Sequence, residues 1–257
     1  MNEASLCELI ESAMNPSNKT DERQLDQAVD GPPADFPQPT VLTGRFVSLI
    51  PVDPNLHAAS LFQGSHGAEF EPLWRYLPDP PPPTLEAFKS YLAARAGKDR
   101  LDFAIVDNHS NEALGLASYL AIEPTNRRIE VGNILFTPRL QRTPGGTEAM
   151  YLMAKHAFEL RYRRYEWKCN ALNQPSRRAA LRYGFQFEGI FRQHMIVKGR
   201  NRDTAWFSIL DTEWPTRKVI FERWLDPSNF MHDNSQRASL AQIGNSLHPA
   251  PEPQSVR

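Results

Sequence analysis

The order of strand-like and helix-like segments between residues 41 and 226 most constrains how this chain can fold. Strand-like segments follow one another at residues 101–106, 114–122 and 128–136, and the first two are joined through a segment with turn chemistry at 107–111. Consecutive strands favour antiparallel pairing, whereas later strand–helix–strand passages permit parallel pairing. The order predicts an α/β (α+β) fold with a mixed, mostly antiparallel central sheet and helices on both faces.

Other segments complete this prediction. Apolar residues at Met150, Met153, Ala157 and Leu160 recur at helical spacing, which predicts a helix over 147–160. Thr84 is a suitable N-cap for a helix that runs to about residue 96. Further strands are predicted at 45–52, 165–169, 185–197 and 204–210, and further helices at 55–63, 175–183 and 215–224.

The two ends of the chain differ in composition from its middle. Residues 1–40 are acidic and finish in a Pro-rich stretch, and residues 227–257 are polar and finish in another. Such segments bury too little apolar surface to offset the entropy of ordering. We therefore expect disordered tails at 1–40 and 227–257, and one domain at 41–226.

The composition narrows the class of protein. Hydrophobic residues make up 40% and charged residues 23% of the 257 residues, which is typical of soluble globular proteins. No apolar run is long enough to cross a bilayer, and the first residues lack the features of a secretory signal. Cys7 and Cys169 are too few for a disulfide framework or a Cys-rich metal site. We expect a cytoplasmic protein, monomeric or homodimeric, with no metal and no membrane partner.

Charge is distributed unevenly. The formal net charge is −1, which argues against a protein that coats nucleic acid. Residues 161–202 nevertheless carry eleven Lys and Arg against Glu166 and Glu188. Such an excess indicates either a site for a phosphorylated ligand or a solvated face.

Residues 136–149 run from a strand through a turn into a helix. The first turn of a helix has unpaired N–H groups at the positive end of its dipole, so it binds phosphate readily. Gly145 and Gly146 allow close approach of the backbone to a diphosphate.

Together with later motifs, this segment resembles the coenzyme A loop of the GNAT N-acyltransferases, in particular of bacterial ribosomal-protein N-terminal acetyltransferases. The family's loop pattern, Gln-Gly-x-Gly-x-Ala-Thr-Glu-Ala, falls on residues 141–149. A second signature falls on Asn173, Ser176, Gly184 and Phe185, a Glu-x-Gly strand pattern falls on Glu130 and Gly132, and residues 74–77 resemble a loop near the acceptor. The resemblance spans residues 42–214.

The resemblance implies a GNAT-like fold, acetyl-CoA as acyl donor and a set of contact residues. The implied cofactor-binding residues are Leu135, Phe136, Thr137, Gln141, Arg142, Thr143, Gly145, Gly146, Thr147, Asn173, Ser176 and Arg177. Backbone N–H groups around Leu135, Phe136 and Thr137 are the expected oxyanion donors. Trp74, Tyr76 and His194 are the candidates for binding the acceptor.

This chain departs from the family pattern at two places. Arg142 and Pro144 replace the first two loop glycines, and proline has no N–H to offer a diphosphate, which a charge-assisted contact from Arg142 would offset. Ala180 occupies the position at which many relatives have a general-acid tyrosine. Either the leaving thiolate needs no strong acid, or Ser176 or a water serves as the acid.

Glu130 is the candidate general base. A carboxylate in mid-strand has a raised pKa if it is buried, which suits a base, but it could instead pair with a cation such as Arg127 or Arg128. The predicted function is acetyl transfer from acetyl-CoA to a primary amine, either a small molecule or a protein N-terminus. A non-catalytic CoA-binding module and an RNA- or ribosome-binding protein are the alternatives.

Overall fold

The computed structural model describes residues 28–95, 97, 99–232 and 235–247. The chain divides into two units, Met1–Pro32 and Pro33–Arg257. Residues 28–32 of the first unit are described, and they are exposed and have neither helix nor strand. The second unit contains eight strands and seven α-helices among its described residues.

The strands are β1 (Leu42–Thr43), β2 (Val47–Pro51), β3 (Leu101–Asp107), β4 (Ala113–Glu123), β5 (Arg128–Phe136), β6 (Arg164–Asn170), β7 (Gln186–Val197) and β8 (Arg200–Leu210). The helices are α1 (Pro54–Ser65), α2 (Glu71–Trp74), α3 (Leu85–Ala94), α4 (Pro144–Glu159), α5 (Gln174–Arg182), α6 (Trp214–Leu225) and α7 (Leu240–Leu247). Single 3₁₀ turns occur at Ala68–Phe70 and Pro227–Asn229.

All eight strands form one sheet in the order β1-β2-β3-β4-β5-β6-β8-β7. Neighbouring strands are antiparallel except β5 and β6, which are parallel and are connected through α4. The predicted mixed, mostly antiparallel sheet is therefore confirmed.

Helices cover the sheet on both sides, also as predicted. On one side, termed the α4 face, residues such as Ile129, Val131 and Phe207 share a core with α4, α6 and α7. On the other side, termed the α1 face, α1, α2 and α3 pack over Ala104 and Leu116. Because side chains alternate along a strand, Glu130, Lys168 and Trp206 belong to the α1 face.

A β-bulge interrupts β5. Leu116 pairs with Leu135 and Ser118 pairs with Gly132, so β5 has one residue more than β4 between these pairs. Asn133, within the bulge, has a φ of 50°. The extra residue reverses the alternation of faces, so Leu135 packs in the core of the α1 face although Val131 lies on the α4 face.

Just before this bulge, β5 and β6 separate. Their parallel pairing extends only from Arg128 and Arg164 to Val131 and Trp167. Residues 132–136 of β5 continue along β4, whereas residues 168–170 of β6 continue along β8. An opening therefore forms in the middle of the sheet.

Parts of both predicted tails pack against the domain. The N–H of Ala34 donates to Pro124 O at 3.0 Å, and that of Asp35 donates to Leu160 O at 3.0 Å. In α7, Leu240 and Ile243 are buried. Disorder was predicted from overall polarity, which hides the apolar spacing within residues 240–247. Residues 1–27 and 248–257 lie outside the described residues.

Candidate functional site

Glu130 lies one residue before the point at which β5 and β6 separate. Its carboxylate leans along the strand over Gly132. A Cβ built on Gly132 would lie only 3.2 Å from Glu130 Oε1. The same Cβ would lie 2.8 Å from Leu120 Cδ1. The Glu-x-Gly spacing therefore has a steric reason: glycine leaves the space through which Glu130 reaches the opening.

Lys168 pairs with Glu130. Its Nζ lies 3.0 Å from Glu130 Oε2, 2.8 Å from Glu166 Oε2, and 4.1 Å from the centre of the Trp206 ring. Burial raises the pKa of Glu130, and Lys168 opposes this rise. Burial would also raise the pKa of Glu166, but hydrogen bonds from Lys168 and Arg164 outweigh it and lower that pKa. A cation does pair with Glu130, and it is Lys168. The role of Glu130 as a base stays a prediction.

Of the expected oxyanion donors in β5, one N–H is left unpaired with β4, and its role stays a prediction. The N–H of Thr137 donates to Leu114 O at 3.0 Å, so it is engaged within the sheet and is not available. Hydrogen-bonded pairs alternate along an antiparallel ladder, so Leu135 falls in a bonded pair with Leu116. The N–H of Phe136 then points away from β4, toward the side that β6 has left.

The loop before α4 is held by its own side chains. Gln141 Nε2 donates to Phe136 O at 2.9 Å, and Thr143 caps the helix by accepting from Gly146 N at 3.3 Å. Pro144 occupies the first turn, where its missing N–H costs least. Arg142 is exposed, has a φ of 59°, and forms no ion pair with any described residue. It is thus available to an anionic group at this helix N-terminus.

The first residues of α4 are buried for reasons of packing. A Cβ on Gly145 would lie 2.8 Å from Val47 Cγ1, and one on Gly146 would lie 3.0 Å from Leu140 O. Thr147 Oγ1 accepts from Arg182 Nη1 at 3.0 Å. The glycines bring α4 close to β2 and the loop, and contacts of these three residues with a cofactor stay predictions.

Glu148 has a role that sequence analysis did not assign. Its carboxylate, 4% exposed, accepts from the N–H groups of Arg45, Phe46 and Val47 at 2.7, 2.6 and 2.9 Å. It therefore fixes the start of α4 to the turn between β1 and β2. The loop motif contained this residue, but its partners lie about a hundred residues away along the chain.

The second signature positions α5. Asn173 Oδ1 caps the helix by accepting from Ser176 N at 3.2 Å, and Ser176 Oγ accepts from Trp167 Nε1 at 3.0 Å. Arg177 Nη1 donates to Ala171 O at 3.3 Å. Cys169 is a buried free thiol whose pKa is raised by burial. This signature places Ser176 beside β6, next to the opening.

A loop after α2 reaches toward the opening. Tyr76 donates from its hydroxyl to Leu172 O at 3.3 Å, and Lys198 Nζ donates to Trp74 O at 2.8 Å. Trp74 itself is buried, and its indole N–H donates to Ser65 O at 2.7 Å. Of the two aromatic candidates, Tyr76 is the one whose polar group contacts the segment after β6, and both acceptor roles stay predictions.

His194 lies on the α1 face of the hairpin formed by β7 and β8. Its Nδ1 is 3.0 Å from Thr204 Oγ1, and its ring centre is 6.0 Å from that of Trp206. A bulge after Phe191 brings it there, with the N–H of Gln193 donating to Asp203 Oδ1 at 2.7 Å. An open cleft of about 640 Å³ lies along residues 191–194.

Two kinds of feature are absent from the described part of the chain. There, no group of three or more His, Cys, Asp or Glu side chains is arranged to hold a metal ion. Within the same residues, no helix combines the length and the apolar character needed to cross a bilayer.

Comparison with known proteins identifies the family. Residues 47–186 match the family model described as the acetyltransferase (GNAT) domain. A GCN5-related N-acetyltransferase of known structure from Brucella melitensis is 42% identical, with a TM-score of 0.81, over 84% of this chain and 99% of that one. A probable GNAT-family acetyltransferase from Chromobacterium violaceum is 40% identical, with a TM-score of 0.69, over 74% of this chain and 95% of that one.

A curated relative matches more weakly. It is an uncharacterized N-acetyltransferase, p20, from Bacillus licheniformis, and it is 30% identical over 117 residues. The match covers 44% of this chain and 63% of the relative, so the chain spans less than two thirds of that protein.

Proposed function

Because the chain belongs to the GNAT acetyltransferase family, whose members use acetyl-CoA, we propose that it transfers an acetyl group from acetyl-CoA to a primary amine. One observation carries this proposal: the carboxylate of Glu130 and the N–H of Phe136 lie on either side of the bulge, Glu130 at the end of the stretch in which β5 pairs with β6 and Phe136 beyond it. A proton acceptor and an oxyanion donor thus border one opening in the sheet.

The residues at the opening match the needs of direct attack on a thioester. Glu130 takes the proton that the amine loses as its nitrogen bonds to the acetyl carbon. Phe136 donates its N–H to the carbonyl oxygen as negative charge develops there. The bond from carbon to sulfur breaks, CoA leaves as a thiolate, and Ser176 stays the predicted proton donor to it. Acetyl-CoA supplies the acetyl group in activated form.

The binding of CoA is proposed for the loop and the start of α4. Arg142 is free to contact a phosphate, and the first turn of α4 offers N–H groups beyond the one that Thr143 caps. Gln141 holds the loop through Phe136 O, so loop and oxyanion donor are part of one structure.

The structure weakens the alternative of RNA binding through residues 161–202. Several basic side chains of this stretch bind protein groups: Arg164 contacts Glu166 and Glu188, Lys168 contacts Glu130, and Arg182 contacts Thr147. Fewer charges than the sequence suggests therefore remain for phosphates of a nucleic acid.

Activity with a panel of amines tests the proposal. Purified protein is incubated with acetyl-CoA and each amine, and CoA release and acetylated product are both measured. Glu130→Gln should retain CoA binding and lose most turnover. If the wild type binds acetyl-CoA but acetylates no amine, the non-catalytic CoA-binding alternative is favoured instead.

A further inference from the structure

Arg202 is a half-buried cation with no partner. Among the described residues its guanidinium forms no hydrogen bond and no ion pair, and its Nε is fully buried. The carboxylate whose charge acts on Arg202 is Glu130, which also pairs with Lys168. Burial of an unpaired charge is costly, so such a group is retained where a ligand completes it.

The position of Arg202 defines where that ligand would lie. Arg202, Thr204 and Trp206 alternate along β8 and therefore share the α1 face, on which the carboxylate of Glu130 also lies. The buried apolar core beneath α1, α2 and α3 includes residues of β3, β4 and the end of β5 and none of β8. Arg202 thus borders the acceptor side of the opening, across the sheet from α4.

A second donor on this face also lacks an acceptor. Trp206 Nε1 is buried and has no hydrogen-bond partner. Nearby, Lys168 lies between Glu130 and Glu166, and Arg164 pairs with Glu188, so two cations meet three carboxylates. None of these carboxylates accepts a hydrogen bond from Arg202 Nε or Trp206 Nε1, so two donors, one of them positively charged, have no acceptor among the described residues where the amine would bind.

We infer that Arg202, with Trp206, binds a carboxylate of the acceptor, so that the substrate is a small primary amine that carries its own carboxylate, as a free amino acid does. This inference rests on the proposed acetyl transfer. It favours a small molecule over a protein N-terminus, because the first residue of a protein has a neutral peptide carbonyl where an amino acid has a carboxylate. Arg is the side chain best suited to hold that group, since its planar fork matches a carboxylate.

Matched acceptor pairs test the inference directly. Free L-amino acids are compared with their C-terminal amides and with a short peptide of neutral side chains, at one pH and with acetyl-CoA saturating. The amides are more often unprotonated at their amine, so chemistry alone favours them. The wild type should nevertheless show kcat/KM for the free acids about tenfold or more above that for the amides. Equal or better use of amides or of the peptide would overturn the inference.

Variants assign the preference to one residue. Arg202→Gln should lower kcat/KM for the free acids by roughly ten- to a hundredfold, abolish the preference over amides, and leave the KM for acetyl-CoA unchanged. Arg200→Gln, the same substitution at an exposed position of β8, should leave the preference intact. A raised KM for acetyl-CoA with an intact preference would instead assign Arg202 to the donor.

Binding separates this inference from the proposed function. With CoA present, free amino acids should raise the melting temperature of the wild type and of Arg200→Gln, and should not raise that of Arg202→Gln. If this pattern holds while no amine is acetylated, the carboxylate site stands and the proposed reaction fails. If amines are acetylated but neither readout depends on Arg202, the reaction stands and the site fails.

Discussion

The Nζ of Lys168 lies 3.0 Å from Glu130 Oε2, beside the last residue pair that β5 and β6 share before they separate. Both side chains are largely buried, with 12% and 13% of their surface exposed. The proposed base is therefore held by a cation from the neighbouring strand. A neighbouring ammonium favours the ionised carboxylate, which is the form that a base needs.

Removal of this cation should affect both stability and pH dependence. Lys168→Met leaves Glu130 and the buried Glu166 without it, so we expect a loss of about 3–5 kcal/mol in the free energy of unfolding, measured in urea. The pKa of Glu130 should rise further, which moves the acidic limb of the kcat/KM profile to higher pH. Lys155→Met, which removes an exposed helical pair with Glu159, should change neither quantity appreciably. An unmoved acidic limb in the folded variant would contradict this account.

The pH dependence of the wild type should report Glu130 itself. Burial raises its pKa above the ordinary 4.5 despite Lys168, and only the ionised form accepts a proton. Activity should therefore fall as the pH drops through a value above 4.5. In Glu130→Gln we expect a loss of roughly 10²- to 10⁴-fold in kcat and no acidic limb of this origin. Persistence of the same limb in this variant would assign it to another group.

The raised pKa of Glu130 also makes the stability of the fold depend on pH, in a direction that can be stated. The folded protein binds the proton of Glu130 more tightly than the unfolded chain does, so this group stabilises the fold most at low pH. That contribution is lost as the pH rises from 4.5 through the folded-state pKa. Urea unfolding at several pH values should show Glu130→Gln gaining stability relative to the wild type over this window.

Arg142 should contribute to the affinity for CoA. Arg142→Ala is expected to raise the Kd for CoA about three- to tenfold, because an exposed charge-assisted contact with a phosphate is lost. Calorimetry at low and high salt should show the difference shrinking as salt screens the contact. Arg139→Ala, in the same loop but paired with Glu112, is the matched control and should bind CoA normally. Equal affinities of both variants would contradict this role.

Glu148 should matter for stability. In the wild type, three backbone N–H groups donate to the carboxylate of Glu148. Glu148→Gln replaces one acceptor oxygen with an NH₂ group that faces these donors, so we expect a loss of about 1–3 kcal/mol in the free energy of unfolding. Glu159→Gln, on the exposed side of the same helix, should cost less than about 0.5 kcal/mol. Chemical denaturation of both variants measures the difference, and equal stabilities would refute the assigned anchoring role.

Local patterns were sufficient for most of the fold. The alternation of strand-like and helix-like segments predicted the mixed sheet, and the apolar spacing from Met150 to Leu160 predicted α4. The start of α4 lies three residues earlier than predicted, because Thr143 caps it and proline is tolerated in a first turn. The place of β8 between β6 and β7 is set by tertiary pairing, to which no local spacing points.

The candidate site was predicted only in part for the same reason. Glu130 could be found because it belongs to a short motif with Gly132. Lys168 and Arg202 belong to no motif: they reach the α1 face through the register of β5 with β6 and of β6 with β8. The extra residue in β5 could not be predicted either, because strand-like composition does not show how many residues separate two paired positions.

That extra residue determines which face of the sheet each position of β5 occupies. Upstream of it, even-numbered residues such as Glu130 lie on the α1 face, and downstream an odd-numbered residue, Leu135, does so. Deleting one residue between Gly132 and Leu135 would turn the apolar Leu135 and Phe136 to the wrong layers, and an insertion would do the same. Substitutions in this segment alter one side chain at a time, whereas a change of length alters every position up to the loop. Length should therefore vary far less than residue identity here among functional variants of this chain.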